Sequence, residues 1–257
     1  MNIARLLFVL ALLSLVVSGC GKTNHEKNAG QNQMYKKYLV PKTMKDRVKL
    51  DGLWQGGFWA DVPAAELTNH IINEPEHKPR TQAKVMYDDK YLYVIFRVED
   101  KYVRAVAQNH QDMVCWDSCV EFFFTPGPDI SVGYFNMEVN CGGTMLFRYQ
   151  LIPWKNAVKV SPTDLEQIQI FHSEPKTVEP EKQQPTTWVI EYRLPFDVLE
   201  KYCEFVRPAR GVVWRGNFYK CADQTSHPHW LNWSAIDKSA QAGGFHTPKF
   251  FGTLEFE

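Results

Sequence analysis

Short runs in which apolar and polar side chains alternate, or in which β-branched and aromatic residues crowd together, recur along most of the chain. They fall at 47–50, 82–87, 91–99, 120–124, 134–140, 144–149, 167–171, 188–194, 212–221 and 251–256, with turn-forming residues between them, which is the signature of strands. Helical spacing is confined to 195–202, PFDVLEKY, where Pro195 stands at the start and Phe196, Leu199 and Tyr202 form one stripe. Strands with so little helix between them cannot supply parallel crossovers. The pattern therefore predicts an all-β fold, an antiparallel β-sandwich of jelly-roll or immunoglobulin-like type with one short helix. Residues 87–91, YDDKY, predict a tight hairpin, because Asp tolerates turn geometry and both flanks read as strand. The stretch 173–185, SEPKTVEPEKQQP, predicts a proline-rich polar loop joining two halves of a single domain over 34–257.

Parity within two of these runs brings chemistry to one face. On 120–124, VEFFF, residues Val120, Phe122 and Phe124 share a face opposite Glu121 and Phe123. On 134–140, YFNMEVN, residues Phe135, Met137 and Val139 oppose Tyr134, Asn136, Glu138 and Asn140. Matching apolar to apolar sets Glu121 beside Glu138, with Asn136 next along, and puts Cys119 and Cys141 on opposite faces, out of disulfide reach. Directly opposed carboxylates have Cβ atoms about 5 Å apart and repel. A bound sugar, a cation such as calcium, a nearby Arg or a shared proton would compensate. Arg97 and Arg215 are the basic candidates, and Arg215, Asn217 and Tyr219 share a face of their run that can continue the polar one.

The N-terminus reads as an address. Residues 6–17 are apolar except for Ser14, too short for a bilayer that needs about 20 residues and suited to a secretory signal. Val17-Ser18-Gly19-Cys20 resembles a bacterial lipobox, which implies a signal peptide over 1–19, lipidation of Cys20 and a membrane as partner. Gly21 in place of Asp resembles the sorting pattern of outer-membrane lipoproteins. Residues 20–33, from Cys20 through GKTNHEKNAGQNQ, have nothing to pack and predict a flexible tether.

Composition narrows the function. Basic and acidic side chains balance at 29 each, so the chain offers no field for nucleic acid. Aromatic residues reach 14%, with 8 Trp and 11 Tyr, a supply that suits sheet surfaces and stacking sites. Cys115, Cys119, Cys141, Cys203 and Cys221 follow Cys20 without a CxxC pair, so zinc-ribbon and thioredoxin-type motifs are excluded. GxSxG, the P-loop and GxGxxG are absent as well. Asp88, Asp89 and Asp100 are the oxygen donors for a metal, calcium in particular. His227, His229 and His246 lack zinc-ligand spacing.

Several blocks taken together resemble a known family. LDGLW at 50–54 with Trp59, YDDKYLYVIFRVED at 87–100, WDSCVEFFF at 116–124, YFNMEVN at 134–140, WRGNFYKC at 214–221, NWSAI at 232–236 and FHTPKFFGTLEF at 245–256 occur in the order of the family 9-like carbohydrate-binding modules, which are DOMON-like β-sandwiches. The resemblance runs from about residue 48 to 257. It implies a jelly-roll-like sandwich, often stabilised by calcium, that binds polysaccharide or oligosaccharide without catalysis and travels with glycoside hydrolases. Carried over by position, it implies a sugar clamped between Trp116 and Trp233 with Glu121 as its carboxylate partner. Trp116 stands closer to Glu121 than the family pattern has it, and Trp230 and Tyr134 are the other rings available. Trp54, Trp59, Trp188 and Trp214 lie in apolar patterns and read as core. The expected ligand set is thus Trp116, Glu121, Asn136, Glu138, Arg97, Arg215, Asn217 and Trp233. Two other functions rank below it. Glu121 and Glu138 have the spacing of a retaining glycosidase pair, about 5 to 5.5 Å, but leave little room for a sugar ring between them. A haem-binding electron carrier would use Met113 and His110 as ligands, without a CxxCH attachment motif.

Overall fold

The computed structural model describes residues 35–44 and 48–257. The expected signal peptide, the lipidated Cys20 and the tether over 20–33 lie outside those residues. The described residues form one compact unit.

Fourteen strands are present among the described residues: β1 (Lys37–Val40), β2 (Ala65–Glu66), β3 (Asn69–His70), β4 (Arg80–Tyr87), β5 (Tyr91–Ala105), β6 (Cys119–Thr125), β7 (Tyr134–Asn140), β8 (Met145–Gln150), β9 (Val158–Lys159), β10 (Gln169–His172), β11 (Val178–Pro195), β12 (Val213–Cys221), β13 (Trp230–Asn232) and β14 (Gly252–Phe256). One sheet runs β1-β14-β12-β6-β7-β8-β9, with β13 pairing β12 and β3; the other runs β10-β11-β5-β4-β2. Apart from the parallel pair β1 and β14, the ladders are antiparallel. The first will be called the site sheet and the second the back sheet.

Alternation explains the layers. Val120, Phe122 and Phe124 of β6, Phe135, Met137 and Val139 of β7, and Trp214 and Phe218 of β12 meet Val94, Phe96, Trp188, Ile190 and Tyr192 of the back sheet in one buried core. Stacked pairs such as Phe122 with Phe218, centroids 4.9 Å apart, and Phe124 with Trp214, 5.7 Å, fill it. The inward position after Phe218 is Lys220, whose ammonium contacts His229 Nε2 at 2.7 Å and Asp100 Oδ2 of β5 at 3.7 Å, a fully buried ion pair linking the sheets. Burial would raise the Asp100 carboxyl, but Lys220 and the hydrogen bond with His77 outweigh it and hold it below the ordinary range.

Each outer face carries a second, smaller cluster. On the back sheet, residues of the segment 48–62 pack Trp54 and Trp59 against Met86, Tyr93 and Ile95. Buried Lys84 donates to the carbonyls of Trp54 and Trp59, while Glu191 accepts from Trp59 Nε1 and from the N–H groups of Asp51 and Gly52. On the site sheet, Cys119, Phe123, Tyr134, Leu146, Tyr219 and Cys221 pack under Val114, Phe245, Phe250 and Phe251 from the covering loops.

Local structure follows the sequence pattern with three differences. The hairpin at 87–91 is present, and Asp88 Oδ1 accepts from the N–H groups of Lys90 and Tyr91, each at 2.7 Å. The helix expected over 195–202 is a single turn, α1 (Phe196–Leu199), which buries Phe196, Val198 and Leu199. Residues 48–50 form no strand. Most of the expected loop 173–185 belongs to β11, which pairs with an extension of β5 as far as Ala105. Pro180 and Pro185 sit within the two register shifts of that ladder, where a missing N–H breaks no regular bond.

Candidate functional site

The outward side chains of β6, β7, β8 and β12 form the floor of a cavity of about 700 Å³, within the range of small-ligand sites. Glu121 opposes Glu138, and Phe123 opposes Asn136, in the register that side-chain parity predicts. Leu146, Arg148 and Gln150 come from β8, and Cys221 from β12. The walls are loops and the start of β13: Ile71 and Ile72, Met113 and Cys115, Trp154 and Ala157, Asp223 with Trp230 of β13, and the segment from Gln241 to His246.

A chain of hydrogen bonds with fixed polarity crosses the floor. The backbone N–H of Trp154 donates to Gln150 Oε1 at 2.9 Å, so the other end of that amide must be a donor. Gln150 Nε2 donates to Asn136 Oδ1 at 2.8 Å, and Asn136 Nδ2 donates to Glu138 Oε1 at 2.9 Å. Gln150 Nε2 also meets His246 Nδ1 at 3.1 Å, which therefore holds a lone pair, leaving the hydrogen of the neutral ring on Nε2. Burial, with Arg148 nearby, pushes His246 down to about 4, in keeping with a neutral ring. Trp154 itself sits at φ 64°, a conformation that bulky residues rarely adopt. It is 69% exposed, with its ring 3.9 Å from that of His246.

Trp230 is half-buried, and its indole N–H donates to Asp223 Oδ1 at 2.7 Å. Two aromatic rings, Trp154 on a loop and Trp230 at the start of β13, therefore flank a floor of amides and carboxyls. Arg148 Nε is buried with no hydrogen-bond partner among the described residues. Burial raises the acids: Glu121 lies well above the ordinary carboxyl range, through burial and then through the charge of Glu138, while Glu138 is pushed up to about 7 against the pull of Asn136 and Arg148. Asp223 is raised by burial as well. The repulsion expected between the opposed carboxylates is thus met by protonation.

Of the expected ligand residues, Glu121, Asn136 and Glu138 line this cavity. The rest stand elsewhere. Arg97 belongs to the back sheet, where it binds Glu99 at 2.6 Å and Gln82. Arg215 shares the outward parity but lies near the far end of β12, donating to the carbonyls of Phe251 and Gly252. Asn217 is fully buried and ties the Ser234 backbone to β12 through both ends of its amide. Trp233 is 4% exposed and packs between the sheets against Tyr38 and Phe218. Trp116 is exposed but lies outside the cavity lining, on a short turn whose carbonyl accepts from Gln224. Of the alternative rings, Trp230 lines the cavity, whereas Tyr134 is buried and holds His246 Nδ1 through its hydroxyl at 2.7 Å.

The proposed metal and haem ligands are likewise separated. Asp88 caps the hairpin, Asp89 pairs with Lys42 at 2.6 Å, and Asp100 lies at the other end of β5 with Lys220 and His77. They do not converge on one ion. Met113 lines the large cavity, whereas His110 faces a second one of about 460 Å³, so the pair does not bracket a haem. Trp154, Arg148 and Gln150 were not anticipated. Trp154 had one visible signal, a large ring in a turn sequence, LIPWKN at 151–156, with no periodicity to bury it.

Comparison with known proteins places this geometry. Residues 60–256 match the model of carbohydrate-binding family 9. No curated protein sequence matches the chain. Among solved structures, a Bacteroides uniformis protein described as a candidate carbohydrate-binding protein is 28% identical, with a TM-score of 0.73 over 87% of this chain and 100% of its own. A family 9 module from Caldicellulosiruptor kristjanssonii, solved with cellotriose, is 14% identical, with a TM-score of 0.58 over 86% of this chain and 94% of its own. The same source's module with glucose gives 14% and 0.57, over 86% and 96%. These last two show likeness of fold.

Proposed function

The chain belongs to carbohydrate-binding family 9, whose members are non-catalytic carbohydrate-binding domains, and from that premise we propose that the cavity on the site sheet is its sugar site. The observation that carries the reading is the exposed Trp154 ring held over a polar floor by a backbone hydrogen bond to Gln150. Apolar C–H faces of a pyranose stack on the indoles of Trp154 and Trp230, while hydroxyls bond to Glu138, Arg148 and the amides of Asn136 and Gln150. Glu121 closes the floor beneath them. Glucose and cellotriose, the ligands of the C. kristjanssonii complexes, are the first candidates of the ligand class.

We further infer that the protein is an exported lipoprotein, anchored through Cys20 in the outer membrane and supporting polysaccharide degradation beside glycoside hydrolases. The apolar run 6–17 and the tetrapeptide Val17-Ser18-Gly19-Cys20 support this reading. Metabolic labelling with palmitate, lost in Cys20→Ala, is the expected outcome; labelling that persists in the variant refutes the anchor.

Binding is tested by titrating the full chain with glucose, cellotriose, xylan fragments, pectin fragments and host-type oligosaccharides while following Trp fluorescence. A saturable change with one class, abolished in a folded Trp154→Ala variant, is expected. Full affinity in that variant removes the ring assignment. Silence across the panel in folded wild type overturns the sugar reading for these classes.

A further inference from the structure

We propose that Cys119, Cys221 and Glu121 form a site for one thiophilic divalent cation, of the zinc or cadmium class, beneath the cavity. The ladder pairs Cys119 directly with Cys221, and Glu121 follows two residues after Cys119 on the same outward face. One donor atom from each of the three residues lies within 4.8 Å of the other two, and all three side chains are buried. Tetrahedral zinc holds sulfur at about 2.3 Å and carboxylate oxygen at about 2.0–2.2 Å, which sets ligand atoms about 3.5–3.8 Å apart. Side-chain rotations that draw the donors together by about 1 Å would close the site around such an ion.

The surroundings favour a cation. The hydrogen-bond partner of Glu121 among the described residues is the Cys221 thiol, at 2.9 Å, a weak donor for a buried carboxyl. The one basic residue between them in the ladder, Lys220, points to the opposite face and is engaged by His229 and Asp100. Glu138 stands directly across from Glu121 and sets a second carboxyl beside the site. Two sulfurs with one carboxylate select a soft or borderline metal over calcium or magnesium. Glu121 and Cys221 line the cavity, which gives an ion its entry path and leaves a fourth position for water. On binding, the two thiols become thiolates and the Glu121 carboxyl, protonated in the free protein, becomes a carboxylate; two sulfur–metal bonds and one oxygen–metal bond form, and three protons leave to solvent.

The test is a Cd²⁺ titration of the reduced full chain, read by thiolate-to-metal charge transfer in the ultraviolet. One equivalent should bind, with release of three protons. The absorbance should fall by half in Cys119→Ser and in Cys221→Ser, and stay unchanged in Cys141→Ser and Cys203→Ser. X-ray absorption of the zinc-loaded wild type decides the matter where a serine variant fails to fold, and should read two sulfurs with the remaining ligands oxygen. Absence of the band in folded wild type, a band that survives loss of Cys119 and Cys221 together, a shell of four sulfurs or none, or a Cys119–Cys221 disulfide in the protein as isolated from cells would each overturn the proposal. No sugar enters the experiment, so its result is independent of the carbohydrate reading.

Discussion

Glu138→Gln removes one titrating carboxyl from the cavity floor, and with it the charge that adds to the effect of burial in raising Glu121. Burial carries the carboxyl from an ordinary 4.5 up to about 7, and at about 1.4 kcal/mol per pH unit the displacement is worth about 3 kcal/mol. Between those values the folded protein keeps a proton that the unfolded chain has released. The wild type therefore loses stability as the pH rises through this window and levels off above the folded value. Glutamine has the same shape, cannot ionise, and still accepts the Asn136 N–H through its carbonyl. The raw pH profile does not report Glu138 alone, because His246 and His229, pushed down to about 4 and about 3 chiefly by burial, act in the opposite direction, stabilising the fold as the pH rises. The difference between wild type and variant cancels those contributions. Urea unfolding followed by Trp fluorescence at pH 4.5, 6 and 7.5 should show the variant gaining on the wild type by about 3 kcal/mol across the series, with equal m-values. A difference that does not change with pH refutes the argument. A difference that shrinks shows Arg148 holding Glu138 ionised against burial.

Three further substitutions separate site from scaffold. Gln150→Leu removes the acceptor for the Trp154 N–H and the donor to buried Asn136 Oδ1, so titration of the folded variant should show a sugar affinity lower by about tenfold, near 1.4 kcal/mol, alongside a stability loss of about 1–3 kcal/mol. Lys220→Met leaves Asp100 buried without its ammonium partner, held by hydrogen bonds with His77 and the N–H groups of Lys101 and Tyr102, and should cost about 3–5 kcal/mol in a denaturant melt. A loss under 1 kcal/mol would mean that the pair contributes little to the fold. Trp233→Ala empties the core between the sheets and should cost about 3–5 kcal/mol, while the folded fraction binds sugar with unchanged affinity by calorimetry.

What was legible in the sequence, and what was not, divides along a physical line. The opposition of Glu121 to Glu138 could be read because β6 and β7 are neighbours in the chain, and one buried face of each determines register for both. Alternation tells which side of its strand a residue takes, but not which sheet that strand joins. Arg97, with apolar neighbours resembling those of the site strands, therefore falls on the back sheet. Trp233 was beyond local reading for a related reason. Its ring lies over Gly252, where an added Cβ would come within 2.5 Å of it, so its burial depends on a glycine many residues downstream and on Tyr38 near the start of the domain. Trp154 is the converse case, a ring exposed because its backbone is fixed in a left-handed conformation. That conformation is held through Gln150, whose amide is oriented by Asn136 and, through it, by Glu138. The ring thus takes its position from the carboxyl on the floor, and the link closes only when β7, β8 and the turn after them have assembled. The floor of the site is a local property of paired strands, whereas its aromatic wall is a tertiary one.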